Sequence, residues 1–273
     1  VNPGPTTRTV IVDGASVTCA VAGVDREDVD PVLLLPGLGG STDRDFSFLL
    51  PLLARTHRVV AVDLQYGPSM DLDRMAGQLA GVIGQLLPRR RVTLVGFSVG
   101  ASVAAAYAAG NSDVAGLVLV AAVLRATARH RLLAALRQEL DPGESVRALD
   151  VVVAHSPAFL ESRGPEQLAA LRPFGSDSHT AVQAGLFART DLVGRVPRIG
   201  APTLVVGCSG DDLAGVDQAR ALFAALPNSR YAEIDSGHGV LAERPAEVLA
   251  LLRDFASNPM RHRSGSVLDE ARP

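Results

Sequence analysis

The chain has 273 residues, 47% hydrophobic and 20% charged, with a formal net charge of -3. That is ample apolar material for one large core and argues against disorder. The weak negative balance gives no electrostatic basis for binding nucleic acid or an anionic membrane.

Residues Val1 to Thr9 are polar, carry Pro3 and Pro5, and lack a basic stretch followed by an apolar one. No signal peptide is read there, and a cytoplasmic location is expected. No apolar run approaches the ~20 residues of a membrane span. Thr9–Val12 and Ser16–Val21 alternate around Asp13-Gly14, a hairpin signal. Val32–Leu35 reads as a buried strand ending at Pro36-Gly37, and Phe46 to Leu53 as a helix. Arg58–Val62 is a strand stopped by Asp63, Leu72 to Leu87 a helix stopped by Pro88. Val92–Val95 is a strand, Ser98 to Ala109 an Ala-rich helix, and Leu117–Ala121 a strand again. From Leu124 to Thr190 the strand signal disappears, and Pro and Gly punctuate several short amphipathic helices. The sheet pattern resumes with Thr203–Val206, a helix over Val216–Leu226, and Tyr231–Ile234. A last helix runs from Pro245 to about Phe255, and the polar stretch 257–273 reads as a frayed tail. Strands alternating with helices imply an α/β fold with a mostly parallel sheet. The core then comprises residues 1–123 and 191–256, with a helical insertion over 124–190.

Gly96-Phe97-Ser98-Val99-Gly100 lies between a buried strand and a small-residue helix. Strand, G-x-S-x-G, helix is the context in which this short motif exposes a nucleophilic serine. The two glycines clear space for a strained turn, and Ala101, Ala104 and Ala105 let the helix lie close to the sheet. The N–H of Val99 then faces the Ser98 hydroxyl at a helix start, where the dipole favours developing negative charge. Taken alone, the segment also fits a plain strand–helix turn with Ser98 as N-cap.

A hydroxyl of ordinary pKa needs a base. Of the six histidines, His238 sits after the last strand, in Asp235-Ser236-Gly237-His238-Gly239, where flanking glycines let an imidazole turn to the sheet edge. His57 reads as structural, His155 and His179 as insertion residues within reach of a substrate, and His130 and His262 as solvent-facing. Asp211 and Asp212 follow the strand Thr203–Val206, and one of them can hold the base in the right tautomer.

These segments, in this order, resemble the serine α/β-hydrolases. The resemblance rests on Leu35-Pro36-Gly37-Leu38-Gly39-Gly40, Val62-Asp63-Leu64, Gly96–Gly100, Pro202 to Gly207, Leu226-Pro227, Ser236-Gly237-His238 and Glu243-Arg244-Pro245. It covers about residues 9 to 256, the insertion aside. It implies an α/β-hydrolase fold with an inserted helical lid, and the catalytic residues Ser98, His238 and Asp211. The family's spacing between the acid and Leu-Pro favours Asp211 over Asp212. By the same resemblance the N–H groups of Leu38 and Val99 form an oxyanion hole. Pro36 departs from the family's usual His, a change not read as inactivating.

The Gly-rich loop fails as a dinucleotide site, because its third glycine position is Thr42 and Asp63 lies beyond the ~20-residue spacing. Cys19 and Cys208 match no zinc or CxxC spacing, so no metal or cofactor is expected. If the insertion covers the nucleophile as the family's lid does, the pocket is lined by Val151, Val152, Phe159, Phe174, Leu186 and Phe187, with Phe97 and Phe46 near the core entrance. An apolar pocket suits a small to medium hydrophobic substrate, with an ester, lactone or thioester as the bond cleaved. The alternatives are a cyclase or lyase, or a ligand-binding protein, using the same pocket without covalent chemistry.

Overall fold

The computed structural model describes residues 4–67, 70–140, 143–174 and 178–268. Its strands are β1 (Thr6–Val12), β2 (Ala15–Ala22), β3 (Val32–Leu35), β4 (Val59–Asp63), β5 (Val92–Phe97), β6 (Val114–Val120), β7 (Thr203–Cys208), β8 (Ser229–Ile234) and β9 (Val267–Leu268). Among the described residues they form one sheet in the order β1-β2-β4-β3-β5-β6-β7-β8-β9. The β1–β2 and β2–β4 pairings are antiparallel, and from β4 onward every neighbour is parallel. The chain has an α/β-hydrolase fold.

The helices are α1 (Thr42–Asp45), α2 (Leu49–Leu53), α3 (Leu72–Leu86), α4 (Val99–Ala108), α5 (Ala128–Glu139), α6 (Glu144–Ala154), α7 (Pro157–Glu161), α8 (Pro165–Ala170), α9 (Ser178–Ala188), α10 (Val216–Ala225), α11 (Val240–Glu243) and α12 (Pro245–Ser257). The central strands are covered on both faces, which explains their unbroken apolar runs. Alternation sorts their side chains between two cores. Leu33, Leu35, Val92 and Leu94 face α3, α4 and α10, whereas Val32, Leu34, Val95 and Phe97 face α2 and α12. Helix α3 starts where the Asp71 carboxylate accepts the Arg74 N–H at 2.9 Å, and buries Leu72, Met75, Leu79, Val82 and Ile83 along one stripe. Both cysteines are buried and unpaired.

Two elements differ from the sequence reading. The helix expected over Phe46 to Leu53 is two short helices. The Ser41 side chain caps a turn that begins at Thr42, and this turn closes at Phe46, whose ring is buried. The stretch expected to fray from Ser257 instead folds back on the sheet as far as Leu268. Tyr231 and Ala232 of β8 pair with Val267 and Leu268, and the buried Arg230 donates from Nε to the His262 carbonyl at 2.8 Å. The edge of β8 carries backbone donors and acceptors that need partners. The segment that satisfies them does so through backbone, so its polar sequence gives no sign of it.

Between β6 and β7 the chain leaves the sheet as α5 to α9. The segments at the neck bond each other: Leu192 N–H donates to Leu124 O at 2.8 Å, and Ala126 N–H to Thr190 O at 2.8 Å. An exposed Arg125–Asp191 ion pair of 3.0 Å sits beside them. Among the described residues no helix is long and apolar enough to cross a membrane.

Candidate active site

Ser98 stands between β5 and α4 at φ 53° and ψ -116°, a left-handed backbone that costs a non-glycine residue about 1–3 kcal/mol. The turn is so tight that a Cβ on Gly96 would lie 2.4 Å from the Ala101 Cα, and one on Gly100 2.4 Å from the Leu35 carbonyl oxygen. The surrounding structure therefore fixes Ser98 in a conformation it would not choose, and the glycines make that possible.

The loops after β3, β5, β7 and β8 meet at the carboxyl edge of the sheet, where open parallel sheets place their ligands. His238, from the loop after β8, has Nε2 2.9 Å from Ser98 Oγ and Nδ1 2.9 Å from Asp211 Oδ2. The other Asp211 oxygen accepts the N–H groups of Leu213 and Ala214 at 2.9 and 2.7 Å. Asp212, its neighbour, is exposed and faces Arg129 instead. Ser98 and His238 are each 1% exposed and Asp211 7%. The group is thus dry, and its hydrogen bonds are not diluted by solvent.

Beside Ser98 runs the loop from Pro36 to Gly40. Its donors are accounted for individually. Pro36 has none; Gly37 N–H donates to Asp45 Oδ2 at 2.8 Å, Gly40 N–H to Gly37 O at 3.1 Å, and Gly39 N–H to Gln183 Oε1 of α9. Among the described residues neither the Leu38 N–H nor the Val99 N–H has an acceptor. A Cβ on Gly37 would lie 3.3 Å from the Ser98 Cβ, so this loop and the serine are in direct contact.

The model of the alpha/beta hydrolase family matches residues 32–251. The chain belongs to that family. It is 28% identical over 241 residues to pyrrolizixenacetamide deacetylase of Xenorhabdus hominickii, covering 82% of this chain and 90% of that one. Its fold is similar to that of the enol-lactonase from Burkholderia xenovorans LB400, with a TM-score of 0.78, 21% identity, and 92% and 100% of the two chains covered. It is also similar to a thermophilic esterase from Thermogutta terrifontis, with a TM-score of 0.75, 23% identity, and 94% and 99% covered.

In this α/β hydrolase the inserted helices line an apolar cavity of about 30 Å³ that opens to solvent. Leu133 and Ala134 of α5, Val153 of α6 and Ala184 and Phe187 of α9 line it from above. Leu38, Leu213 and Phe174 line it toward the site. The Phe174 ring stands edge-on to His238, 6.4 Å between centroids. A bidentate ion pair between Arg137 and Asp150, 2.9 and 3.1 Å, closes another wall.

Several residues expected at the pocket lie elsewhere. Phe46 is 1% exposed among Leu34, Leu49 and Leu53, in the core under the opposite face of the sheet. Val152 is 59% exposed, because α6 turns Val151 and Val153 inward and leaves the residue between them outside. Phe159 stacks on the His155 ring at 4.7 Å and carries the Arg163 guanidinium at 4.2 Å, away from the cavity. Phe97 packs against the His238 ring, with centroids 5.3 Å apart. His130, expected in solvent, is buried: its Nδ1 accepts the Thr127 N–H at 2.8 Å and its Nε2 lies 2.9 Å from the Ala214 carbonyl. His155 is buried against Glu243 and does not line the cavity, and the side chain of His179 lies outside the described residues. Among the described residues no cluster of His, Cys, Asp and Glu could hold a metal ion.

Three residues that matter to this geometry were not singled out from the sequence. Glu243 appeared only as part of a motif. Gln183 carried one usable signal, a lone amide in an otherwise apolar stretch of helix. Asp45 carried none.

Proposed function

We propose that the protein is a serine hydrolase that cleaves an ester, lactone or thioester with a short apolar acyl part through an acyl-enzyme. The reading is carried by the unbroken contact from Asp211 through His238 to Ser98, both links 2.9 Å, beside two unpaired backbone donors. Ser98 Oγ attacks the substrate carbonyl as His238 Nε2 takes its proton, and Asp211 stabilises the resulting imidazolium. The new C–O bond places negative charge on the carbonyl oxygen, facing the Leu38 and Val99 N–H groups. Each such donor is worth roughly 3–4 kcal/mol of barrier. Collapse expels the leaving oxygen or sulfur, which takes the proton from His238. Water then attacks the acyl-enzyme by the same route, releasing the acid and restoring Ser98.

The cavity bears on the substrate. Its apolar lining beside Leu38 suits a short apolar acyl group such as acetyl or propionyl. The relative from Xenorhabdus is named as a deacetylase, which agrees with an acyl part of that size. An acetylated amine therefore belongs in the substrate panel with the acetyl esters and lactones.

The test is covalent labelling by a fluorophosphonate, read by intact mass, on wild type and Ser98→Ala. One adduct on wild type and none on the variant is the expected result. A folded wild type that stays unlabelled would overturn the covalent reading and favour recognition or cyclase chemistry in the same pocket.

A further inference from the structure

We infer that Gln183 and Asp45 are a pair of positioning residues that hold the Leu38 N–H in the oxyanion position. This rests on the serine-hydrolase reading above and adds to it a requirement on two residues that touch no substrate. The geometry concerns three consecutive peptide groups. The first carries the Gly37 N–H, held by the Asp45 carboxylate at 2.8 Å. The third carries the Gly39 N–H, held by Gln183. The middle one carries the Leu38 N–H, which has no acceptor among the described residues. A glycine-rich loop lets a peptide plane rotate at little cost. With both flanking planes clamped, the middle plane cannot rotate without breaking a buried hydrogen bond.

Both clamps are themselves braced. The Arg44 guanidinium, next to Asp45, donates to the Gly39 carbonyl at 2.7 Å, and the Gly40 N–H of that same plane donates to Gly37 O, so the plane that follows the third is held at both ends. Gly40 packs against the Asp45 carboxylate so closely that a Cβ there would sit 2.1 Å from Oδ2. Gln183 is 4% exposed and shares a pocket with Tyr66, which follows β4, and with Gly39 and Gly40 of the loop. Its own helix places Ala184 and Phe187 on the cavity wall. The helix that lines the acyl cavity therefore also sets the orientation of the oxyanion loop. Acyl groups that seat α9 well should act on kcat, because the interaction they secure is made in the transition state.

The test uses the full chain with p-nitrophenyl acetate as substrate and methylboronic acid as inhibitor, since a boronate on Ser98 is tetrahedral and anionic. Gln183→Leu and Asp45→Ala should each lower kcat about 10- to 100-fold, short of the loss of a whole donor, with KM within threefold. The boronate inhibition constant should weaken by a factor that follows the fall in kcat. Asp45→Asn, whose amide oxygen can still accept the Gly37 N–H, should recover most of the rate lost in Asp45→Ala. Should either removal variant fail to fold by circular dichroism, the other decides on the same two readings. Folded variants with kcat within threefold of wild type, or with a fallen kcat and unchanged boronate affinity, would overturn the inference and leave the serine-hydrolase reading standing. A wild type that neither labels at Ser98 nor turns over any ester would overturn both.

Discussion

The Glu243 carboxylate accepts the Ser156 hydroxyl at 2.7 Å and so ties the end of α6 to the loop that carries His238. The same carboxylate accepts the Ser156 and Gly237 N–H groups at 2.9 and 3.1 Å and lies 3.2 Å from His155 Nδ1. Burial works to raise the Glu243 pKa, but the hydrogen bonds from His155, Ser156 and Gly237 outweigh it and hold it at about 2. A carboxyl depressed in the folded state contributes stability above its unfolded pKa, and loses it as pH falls through the folded value. Glu243→Gln should therefore cost about 3 kcal/mol at pH 7. The gap between variant and wild type should close as the pH falls from about 4.5 toward 2. Urea unfolding at a series of pH values measures this, and a gap that does not depend on pH would refute it.

Asp211 is constrained on both oxygens, and that constraint predicts the effect of an amide there. Oδ1 receives two backbone N–H groups, so in Asp211→Asn the amide oxygen must take that place. The NH2 group then points at His238 Nδ1 and forces the wrong tautomer. The expected loss in kcat is about 10⁴-fold, with the fold intact. Asp212→Asn, at an exposed residue, should stay within about twofold. Equal losses in the two variants would contradict the assignment.

Much of this was legible in the sequence because the determinants are local. The elbow around Ser98 needs two glycines at fixed offsets, and a parallel strand buried on both faces must read as an apolar run. His238 stood out because glycines flank it at the end of a strand. What stayed hidden depends on contacts between distant segments. Val152 lies in an apolar run that gives no rotational phase, so only the packed helix shows that Val153 faces the cavity. His130 looks solvated among arginines until the loop after β7 supplies the Ala214 carbonyl. The stretch to Leu268 pairs through backbone, which leaves no side-chain pattern to read. Gln183 and Gly39 are 144 residues apart in the chain, and no local rule connects them.

Asp45 gives the opposite pH dependence from Glu243. Burial raises its pKa to about 6, with Asp63 adding to the rise, against the Gly37 N–H, Arg44 and His238, which lower it. The folded state thus prefers the neutral carboxyl, and stability is lost as pH rises from about 4 to about 6. Asp45→Asn removes that penalty while keeping an acceptor for Gly37. Its Tm should match wild type near pH 4 and exceed it by several degrees above pH 7. Differential scanning calorimetry across that range checks it. A variant less stable than wild type at pH 8 would show that the charge is needed for folding.

The cavity predicts how chain length governs the rate. Phe187, Phe174 and the His130 imidazole contribute its aromatic walls, and Phe187 is the phenyl ring with no contact to His238. Phe187→Ala should open the cavity along α9 and leave the Phe174 packing on the imidazole in place. Wild type should favour p-nitrophenyl acetate over the hexanoate in kcat/KM, because the Phe187 ring occupies the wall along which a longer chain would extend. In the variant the hexanoate-to-acetate ratio should rise at least tenfold, in line with about 1–3 kcal/mol per accommodated methylene. The substitution also removes buried apolar surface and should cost about 3–5 kcal/mol of stability, so the assay belongs well below the variant's Tm. Phe159→Ala is the control, since that ring stacks on His155 away from the cavity and its removal should leave the ratio unchanged. If both variants shift the ratio equally, the acyl group does not bind between α5, α6 and α9. A ratio moved by neither would place the acyl part outside the insertion altogether.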